Sequence, residues 1–187
     1  MSQSLRVKKI SEMAVFISLA LVIEVIMQPL FQMPQGGSVT VAMVPIVIIS
    51  YRHGFFSGVI SGFAFGMLNF VFGGAFWGWW SLFVDYQLAF AAFGLSALIF
   101  KIKRDSLVFF ILGIVVAGTG RFMAHYLSGL LLFGSFAPEG VHPAWYSFTY
   151  NIAYMGPTIV LSAIIGAWIW IRLKSVLTED LLNENLF

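Results

Sequence analysis

The sequence predicts an all-α integral membrane protein with six transmembrane helices and both termini in the cytoplasm. Of its 187 residues, 60% are hydrophobic and only 10% are charged, and the mean hydropathy is +0.93. A soluble domain of this length could not bury so much apolar surface. The apolar runs are long and continuous, whereas the strands of membrane barrels show short alternating patterns. The 18 glycines and 17% aromatic residues indicate closely packed helices.

We expect a single six-helix domain over residues 1–187, in which turn-rich or charged segments separate the apolar runs. The predicted helices cover about 10–31, 39–51, 55–72, 81–100, 107–133 and 144–173, and 174–187 form a cytoplasmic tail. The second run spans only ~20 Å and contains Pro45, so the loop before it should dip into the protein. On the third helix a glycine recurs at every fourth residue from Gly54 to Gly66, which predicts close packing against a neighbouring helix.

The basic residues predict the orientation of these helices. Nine of the ten Lys and Arg residues lie before the first predicted helix or at and beyond the ends of the second, fourth and sixth. By the positive-inside rule, both termini are therefore cytoplasmic. Because these residues lie at the membrane boundaries, the lipid bilayer is the expected partner, and the net charge of +2 gives no indication of a nucleic-acid partner. The tenth basic residue, Arg121, lies inside a membrane segment.

The fifth helix carries two ionisable residues, Arg121 and His125, one helical turn apart. Positions i and i+4 share a helix face, and ionisable groups at membrane depth are costly and usually functional. At a rise of 1.5 Å per residue, four polar side chains lie ~21–32 Å above the cytoplasmic ends of their helices, namely those of Arg121, His125, Asp85 and Asn151. Since three consecutive helices supply them, we expect the four side chains to converge on one outward-facing cavity.

Two interpretations of this cluster remain open. Asp85 and Arg121 could form a structural ion pair, His125 could be a hydrogen-bonded packing residue, and the nearby tryptophans could be interfacial anchors. A carboxylate, a guanidinium, an imidazole and an amide at one depth favour a ligand site instead. One carboxylate among several aromatic rings suits a flat, polar, cationic heteroaromatic ligand. In that site Arg121 would hold Asp85 ionised and oriented, leaving the other oxygen of the carboxylate for the ligand.

The sequence also lacks the motifs of several other functions. It contains no cysteine, no Gly-x-x-x-x-Gly-Lys phosphate loop and no metal-ligand spacing among its 3 histidines, so we expect neither a metal nor a cofactor. An intramembrane enzyme could use Asp85 and His125 as acid and base, but no nucleophile accompanies them. A passive channel or a structural protein is a further alternative. The chain is expected to be a binding unit that needs partners to do work.

Five motifs follow one another along nearly the whole chain. They are Met33-Pro-Gln-Gly-Gly-Ser-Val39, Asp85-Tyr86, Arg121-x-x-x-His125-x-x-Ser-Gly129, Phe133-Gly-Ser-Phe-Ala-Pro138 and Tyr146-Ser-x-x-Tyr-Asn151-x-x-Tyr-Met155-x-Pro157. In these motifs the sequence resembles the thiamine-specific S components of energy-coupling factor (ECF) vitamin transporters. The resemblance implies a multi-pass protein of the bacterial plasma membrane that captures thiamine near the outer face and has no enzymatic activity. It also implies a transmembrane coupling (T) subunit and two ATP-binding subunits as partners.

The resemblance further implies which residues bind the substrate and the partner. The implied substrate-binding residues are Gln35, Asp85, Tyr86, Arg121, His125, Phe133, Tyr146 and Asn151. Family members can carry glutamate in place of Asp85 and lysine in place of Arg121. Ala14 and Ser18 form a stripe of small residues that matches the contact by which S components dock the coupling subunit. The nearest alternative is an S component for another vitamin or for a pyrimidine precursor.

Overall fold

The computed structural model describes residues 3–178, and within this range the predicted all-α architecture is confirmed. The helices are α1 (Gln3–Phe31), α2 (Met43–His53), α3 (Phe55–Gly73), α4 (Trp79–Phe100), α5 (Leu107–Leu132) and α6 (Pro143–Thr178). All of these except α2 are long and apolar enough to cross a membrane. Helix α6 has a kink at Leu173, whose backbone is non-helical (φ −120°, ψ 17°). Beyond this kink the helix continues to Thr178, inside the predicted tail. The rest of that tail, 179–187, lies outside the described residues.

Helix α2 lies at the centre of the bundle. All ten residues of Met43–Arg52 are buried, as expected for a short helix whose first seven residues, Met43 to Ile49, are all apolar. The segment 32–42 before it is irregular, so its backbone groups need partners away from water. The Met33 amide donates to the Gly37 carbonyl (2.8 Å), and the Thr40 amide donates to the Thr158 hydroxyl (3.3 Å). The loop therefore enters the protein, as its sequence predicted.

The glycine-rich face of α3 packs against α4. A Cβ atom at Gly62 would overlap the carbonyl oxygen of Phe90, and one at Gly66 would overlap that of Tyr86. The predicted close packing within the bundle is therefore confirmed. Helix α4 itself is irregular, with a π-helical stretch at Leu82–Leu88 and a 3₁₀ turn at Ala92–Leu95. Single π-helical turns inside α-helices are often found at functional sites.

Gly62→Ala should destabilise the protein by about 1–3 kcal/mol, because the added methyl group must push two tightly packed backbones apart. Thermal unfolding in detergent would measure the loss as a lower midpoint temperature. Gly156→Ala is the matched control, since a Cβ atom there would approach only the side chain of Ile152, at 4.0 Å. Equal midpoints for the two variants would contradict this account of the α3–α4 contact.

Charged side chains tie several elements together at the end of the bundle where α1 begins and the described part of α6 ends. Arg52 binds Glu12 of α1 through Nε and Nη2, each at 3.0 Å, and donates through Nη1 to the Val176 carbonyl (2.7 Å). An ion pair between Lys174 and Asp105 joins α6 to the α4–α5 loop. The loops that follow α1, α3 and α5 lie at the opposite end.

Candidate functional site

A cavity opens among the loops that follow α1, α3 and α5. Its walls come from α1, the 32–38 loop, α3, α4, α5 and α6. All eight predicted substrate-binding residues line it, namely Gln35, Asp85, Tyr86, Arg121, His125, Phe133, Tyr146 and Asn151. The convergence that the depth estimate predicted is thus present in the structure.

Asp85 anchors one wall of the cavity from the π-helical stretch of α4. Its Oδ2 atom accepts hydrogen bonds from the hydroxyls of Ser81 (2.7 Å) and Ser128 (2.8 Å). Its Oδ1 atom lies 3.3 Å from Nδ1 of His125. Three donors from α4 and α5 therefore fix the orientation of this carboxylate.

His125 lies between Arg121 and Asp85. The Arg121 Nε–H donates to His125 Nε2 at 3.1 Å, so Nε2 is the unprotonated nitrogen and Nδ1 carries the proton that faces Asp85. The imidazole is therefore neutral in this network. Both ring nitrogens are engaged, which leaves the ring face rather than a nitrogen for contact with a ligand.

We expected Arg121 to contact Asp85 directly, and this prediction is wrong. Among the described residues Arg121 forms no ion pair with Asp85. Its guanidinium instead lies over the ring of Phe90, 4.3 Å from the ring centre, and only 3% of the residue is exposed. Because the planar guanidinium packs on this ring, its Nε reaches the imidazole first, and Arg121 acts on Asp85 through His125.

Asn151 joins α6 to α5 on the inner side of the cavity, because its amide nitrogen donates to the His125 carbonyl (3.4 Å). Its amide nitrogen donates to the Ser147 carbonyl (2.8 Å), and its Oδ1 accepts from the Tyr154 hydroxyl (2.7 Å). The ring of Tyr154 in turn lies edge-on to His125, with 6.0 Å between ring centres. Asn151 therefore uses both its amide nitrogen and its Oδ1 atom for hydrogen bonds within the protein.

The 32–38 loop covers one side of the cavity and is held by tyrosines of α6. The Tyr146 hydroxyl donates to Oε1 of Gln35 (2.5 Å), and the Tyr150 hydroxyl donates to the Gly36 carbonyl (2.9 Å). Gly36 and Gly37 have φ values of 99° and 85°, a region that disfavours residues with a Cβ atom. This part of the Pro-Gln-Gly-Gly motif is therefore required by the loop conformation.

Aromatic side chains form the rest of the cavity rim. The ring of Trp77 lies edge-on to Phe133 (6.0 Å between ring centres) and to Phe136 (5.8 Å). The Tyr86 hydroxyl donates to the Ala75 carbonyl (3.2 Å), which fixes the α3–α4 loop beside the cavity. The other tryptophans near this end, Trp79, Trp80 and Trp145, are exposed and do not line the cavity, as expected for interfacial anchors.

Sequence reasoning missed a second carboxylate in the cavity wall, that of Glu24. This residue is only 3% exposed; its Oε1 accepts from the Ser38 hydroxyl (3.0 Å), and its Oε2 has no hydrogen-bond partner among the described residues. Gln28 and Gln32 follow it at four-residue spacing and also line the cavity. That spacing in an apolar segment was the available signal, because it puts Glu24 and Gln28 on one face of α1 and Gln32 directly after its last residue.

The predicted docking residues lie outside the cavity. Ala14 and Ser18 are exposed on the N-terminal half of α1, and the Ser18 hydroxyl donates to the Ala14 carbonyl (2.8 Å). The stripe therefore presents small side chains with no polar group left unpaired. No cluster of three or more possible metal ligands occurs in the part of the chain that the structure describes.

Comparisons with known proteins agree on one family. A family model described as a thiamine transporter protein matches residues 10–178. The thiamine transporter ThiT of Bacillus subtilis (strain 168) is 34% identical over 191 residues, which is 96% of this chain and 99% of that protein. The protein of the same name from Lacticaseibacillus paracasei is 22% identical over 154 residues, covering 74% of this chain and 76% of that protein.

Two solved structures share the fold. ThiT from Listeria monocytogenes superposes with a TM-score of 0.79 at 24% identity, over 92% of this chain and 98% of that one. An S component of a bacterial ECF transporter superposes with a TM-score of 0.59 at 17% identity, over 94% and 98% of the two chains. At these identities the likeness concerns the arrangement of the helices.

Proposed function

The chain belongs to the thiamine transporter protein family, and from this premise we propose that its cavity binds thiamine for uptake into the cell. It is a multi-pass protein of the bacterial cell membrane and a transport protein rather than an enzyme. Thiamine consists of an aminopyrimidine ring joined through a methylene group to a thiazolium ring, which carries a permanent positive charge and a hydroxyethyl group. The ligand is thus the flat, cationic heteroaromatic molecule that the sequence pattern suggested.

The charge of the cavity is the observation that carries this proposal. Its lining contains two carboxylates, Glu24 and Asp85, and one guanidinium, Arg121, while His125 is neutral. The formal charge of the lining is therefore −1, which one thiazolium cation balances. Burying a charge is favourable only when it is paired, so a cavity of this charge should prefer a monocation to a neutral or anionic ligand.

The aromatic rim suits the same ligand. Trp77, Phe133 and Tyr146 place ring faces and edges around the opening, where they can stack on a flat ring and attract its positive charge.

Deeper in the cavity, Asp85 supplies a negative charge, and hydrogen bonds from Ser81 and Ser128 fix the orientation of its carboxylate. Arg121 acts through His125, which it holds in the tautomer that donates to Asp85. Gln35, Tyr86 and Asn151 shape the walls around the ligand.

Isothermal calorimetry on the purified protein tests this function. Thiamine should bind with a dissociation constant in the nanomolar to micromolar range, as about 8–12 kcal/mol of binding free energy requires. A competition panel with other vitamins and with the free aminopyrimidine alcohol separates the nearest alternatives, S components of other specificity. Saturating thiamine without a heat signal, or stronger binding of another panel member, would contradict the proposal.

Thiamine should also quench the tryptophan fluorescence of the protein, and Trp77→Phe should remove most of this signal. Of the 6 tryptophans, all within the described range, Trp77 alone lines the cavity. Because phenylalanine keeps an aromatic ring at the rim, calorimetry should still show binding within about tenfold of the wild-type affinity. Trp79→Phe is the control, since that side chain is exposed outside the cavity. Equal quenching of both variants would place the ligand elsewhere.

We also propose the assembly in which the protein works. It would be the S component of an ECF transporter, with both termini in the cytoplasm and the cavity facing outside. A transmembrane coupling subunit and two ATP-binding subunits would drive release of thiamine on the inner side. The stripe of Ala14 and Ser18 is the proposed docking contact with the coupling subunit, since small exposed residues let a second helix approach closely.

A further inference from the structure

The two carboxylates of the cavity differ in how far protein donors satisfy them. Asp85 receives two serine hydroxyls on Oδ2 and faces the imidazole of His125 with Oδ1. Glu24 receives one donor, the Ser38 hydroxyl on Oε1, and no donor of the described residues reaches its Oε2. Glu24 is nevertheless 97% buried by area, at 3% exposure, and lines the cavity. An acceptor so placed is costly unless it receives a hydrogen bond.

The charge next to Glu24 indicates what kind of donor it would receive. Arg121 lines the same cavity as Glu24 and is equally buried, at 3% exposure, although the two form no ion pair within 4.0 Å among the described residues. A second permanent cation at this place would be repelled by the buried guanidinium. A neutral N–H donor would satisfy Oε2 without that repulsion. The region around Glu24 therefore favours the uncharged, amine-bearing end of a ligand, and leaves its cationic ring to the aromatic rim.

We propose that Oε2 of Glu24 accepts a hydrogen bond from the exocyclic amine of the bound aminopyrimidine ring. The cavity would then have two carboxylates with separate tasks. Asp85 supplies an oriented negative charge, and Glu24 recognises the amine and makes the site selective for ligands that carry it. This inference rests on the proposed function, because it names the contact that one end of thiamine makes.

The test compares thiamine with 4′-deaminothiamine, in which hydrogen replaces the amine and the thiazolium ring is unchanged. Wild-type protein should bind thiamine at least ~10-fold more tightly than the deamino compound, because the analogue leaves a buried carboxylate without its donor. Glu24→Gln, and more strongly Glu24→Met, which removes the acceptor, should weaken thiamine binding by ~10-fold or more. Either change also removes one negative charge from the lining and so weakens the binding of both thiazolium ligands. The expected result is therefore an additional loss for thiamine alone, so that the ratio of the two affinities falls from ~10-fold or more toward 1.

Glu12→Gln is the matched control, an isosteric change of another carboxylate on α1 that lies outside the cavity. It should leave the ratio of the two affinities at the wild-type value even if it lowers stability. The proposal is overturned if wild-type protein binds the two ligands equally, if the Glu24 variants bind thiamine like wild type, or if they weaken both ligands by the same factor. The ratio of the affinities for the two ligands is measured on wild-type protein, so this part of the test holds even if the Glu24 variants fail to fold. Protein that binds no thiamine at all would overturn the proposed function, which is a different outcome from binding without discrimination.

Discussion

Asp85→Asn should weaken thiamine binding by about 30- to 150-fold, which corresponds to a loss of about 2–3 kcal/mol. The reason lies in the three donors that converge on this carboxylate, Ser81, Ser128 and His125. An asparagine amide has one acceptor oxygen, so its NH₂ group must face at least one donor. The substitution also changes the formal charge of the cavity lining from −1 to 0, so the ligand cation is no longer balanced.

Calorimetry on the purified variant would measure this loss directly. Asp105→Asn is the matched control, because its carboxylate lies at the other end of the bundle and its side chain is 69% exposed. That variant should bind thiamine like wild type. Ser128→Ala should give a smaller loss than Asp85→Asn, since it removes one of three donors and no charge. Wild-type affinity in Asp85→Asn would exclude Asp85 from the ligand contact and from the orientation of His125.

The helices could be predicted from the sequence because each depends on a property of the local chain. Long apolar runs must form helices in a membrane, since every backbone group has to be satisfied there. The burial of α2 was also foreseeable, because its run is apolar on all sides and too short to cross alone. The π-helical stretch at Leu82–Leu88 could not be foreseen, since the apolar pattern of α4 does not distinguish i+4 from i+5 hydrogen bonding.

The members of the site were easier to predict than their contacts. Depth along each helix brought Asp85, Arg121 and His125 to one level, and the i, i+4 spacing put the last two on one face. Spacing does not say which of the two reaches the carboxylate first. The ring of Phe90 decides this, because it holds the guanidinium away from Asp85 and puts the imidazole between them. That ring belongs to a different helix, so its effect depends on tertiary packing.

Glu24 was missed because its role depends on a loop. In the sequence it interrupts an apolar helix, and its hydroxyl partner Ser38 comes after two glycines with positive φ. The turn formed by these glycines brings Ser38 back alongside α1, where Gln32 and Ser38 form an isolated bridge. Only this return of the chain makes the α1 face with Glu24 a cavity wall rather than a surface toward lipid.

Ala14→Trp should abolish thiamine uptake by the assembled transporter and leave thiamine binding by the isolated protein unchanged. Ala14 lies ten residues before Glu24, a distance of ~15 Å along α1, and it does not line the cavity. An indole ring at this position would fill the space that small residues leave for a second helix. Uptake of labelled thiamine into proteoliposomes with the coupling and ATP-binding subunits measures the effect, and calorimetry on the variant measures binding.

Val15→Trp is the control that separates docking from a general effect of a bulky side chain on α1. Val15 is 65% exposed and lies one residue further along, about 100° around the helix, so its side chain points away from the stripe. The control should transport thiamine at the wild-type rate. If both variants lost uptake, the lipid-facing surface of α1 as a whole would be sensitive to bulk. If both variants retained uptake, the coupling subunit would have to bind another face of the protein. A close helix contact at Ala14 leaves no space for an indole ring.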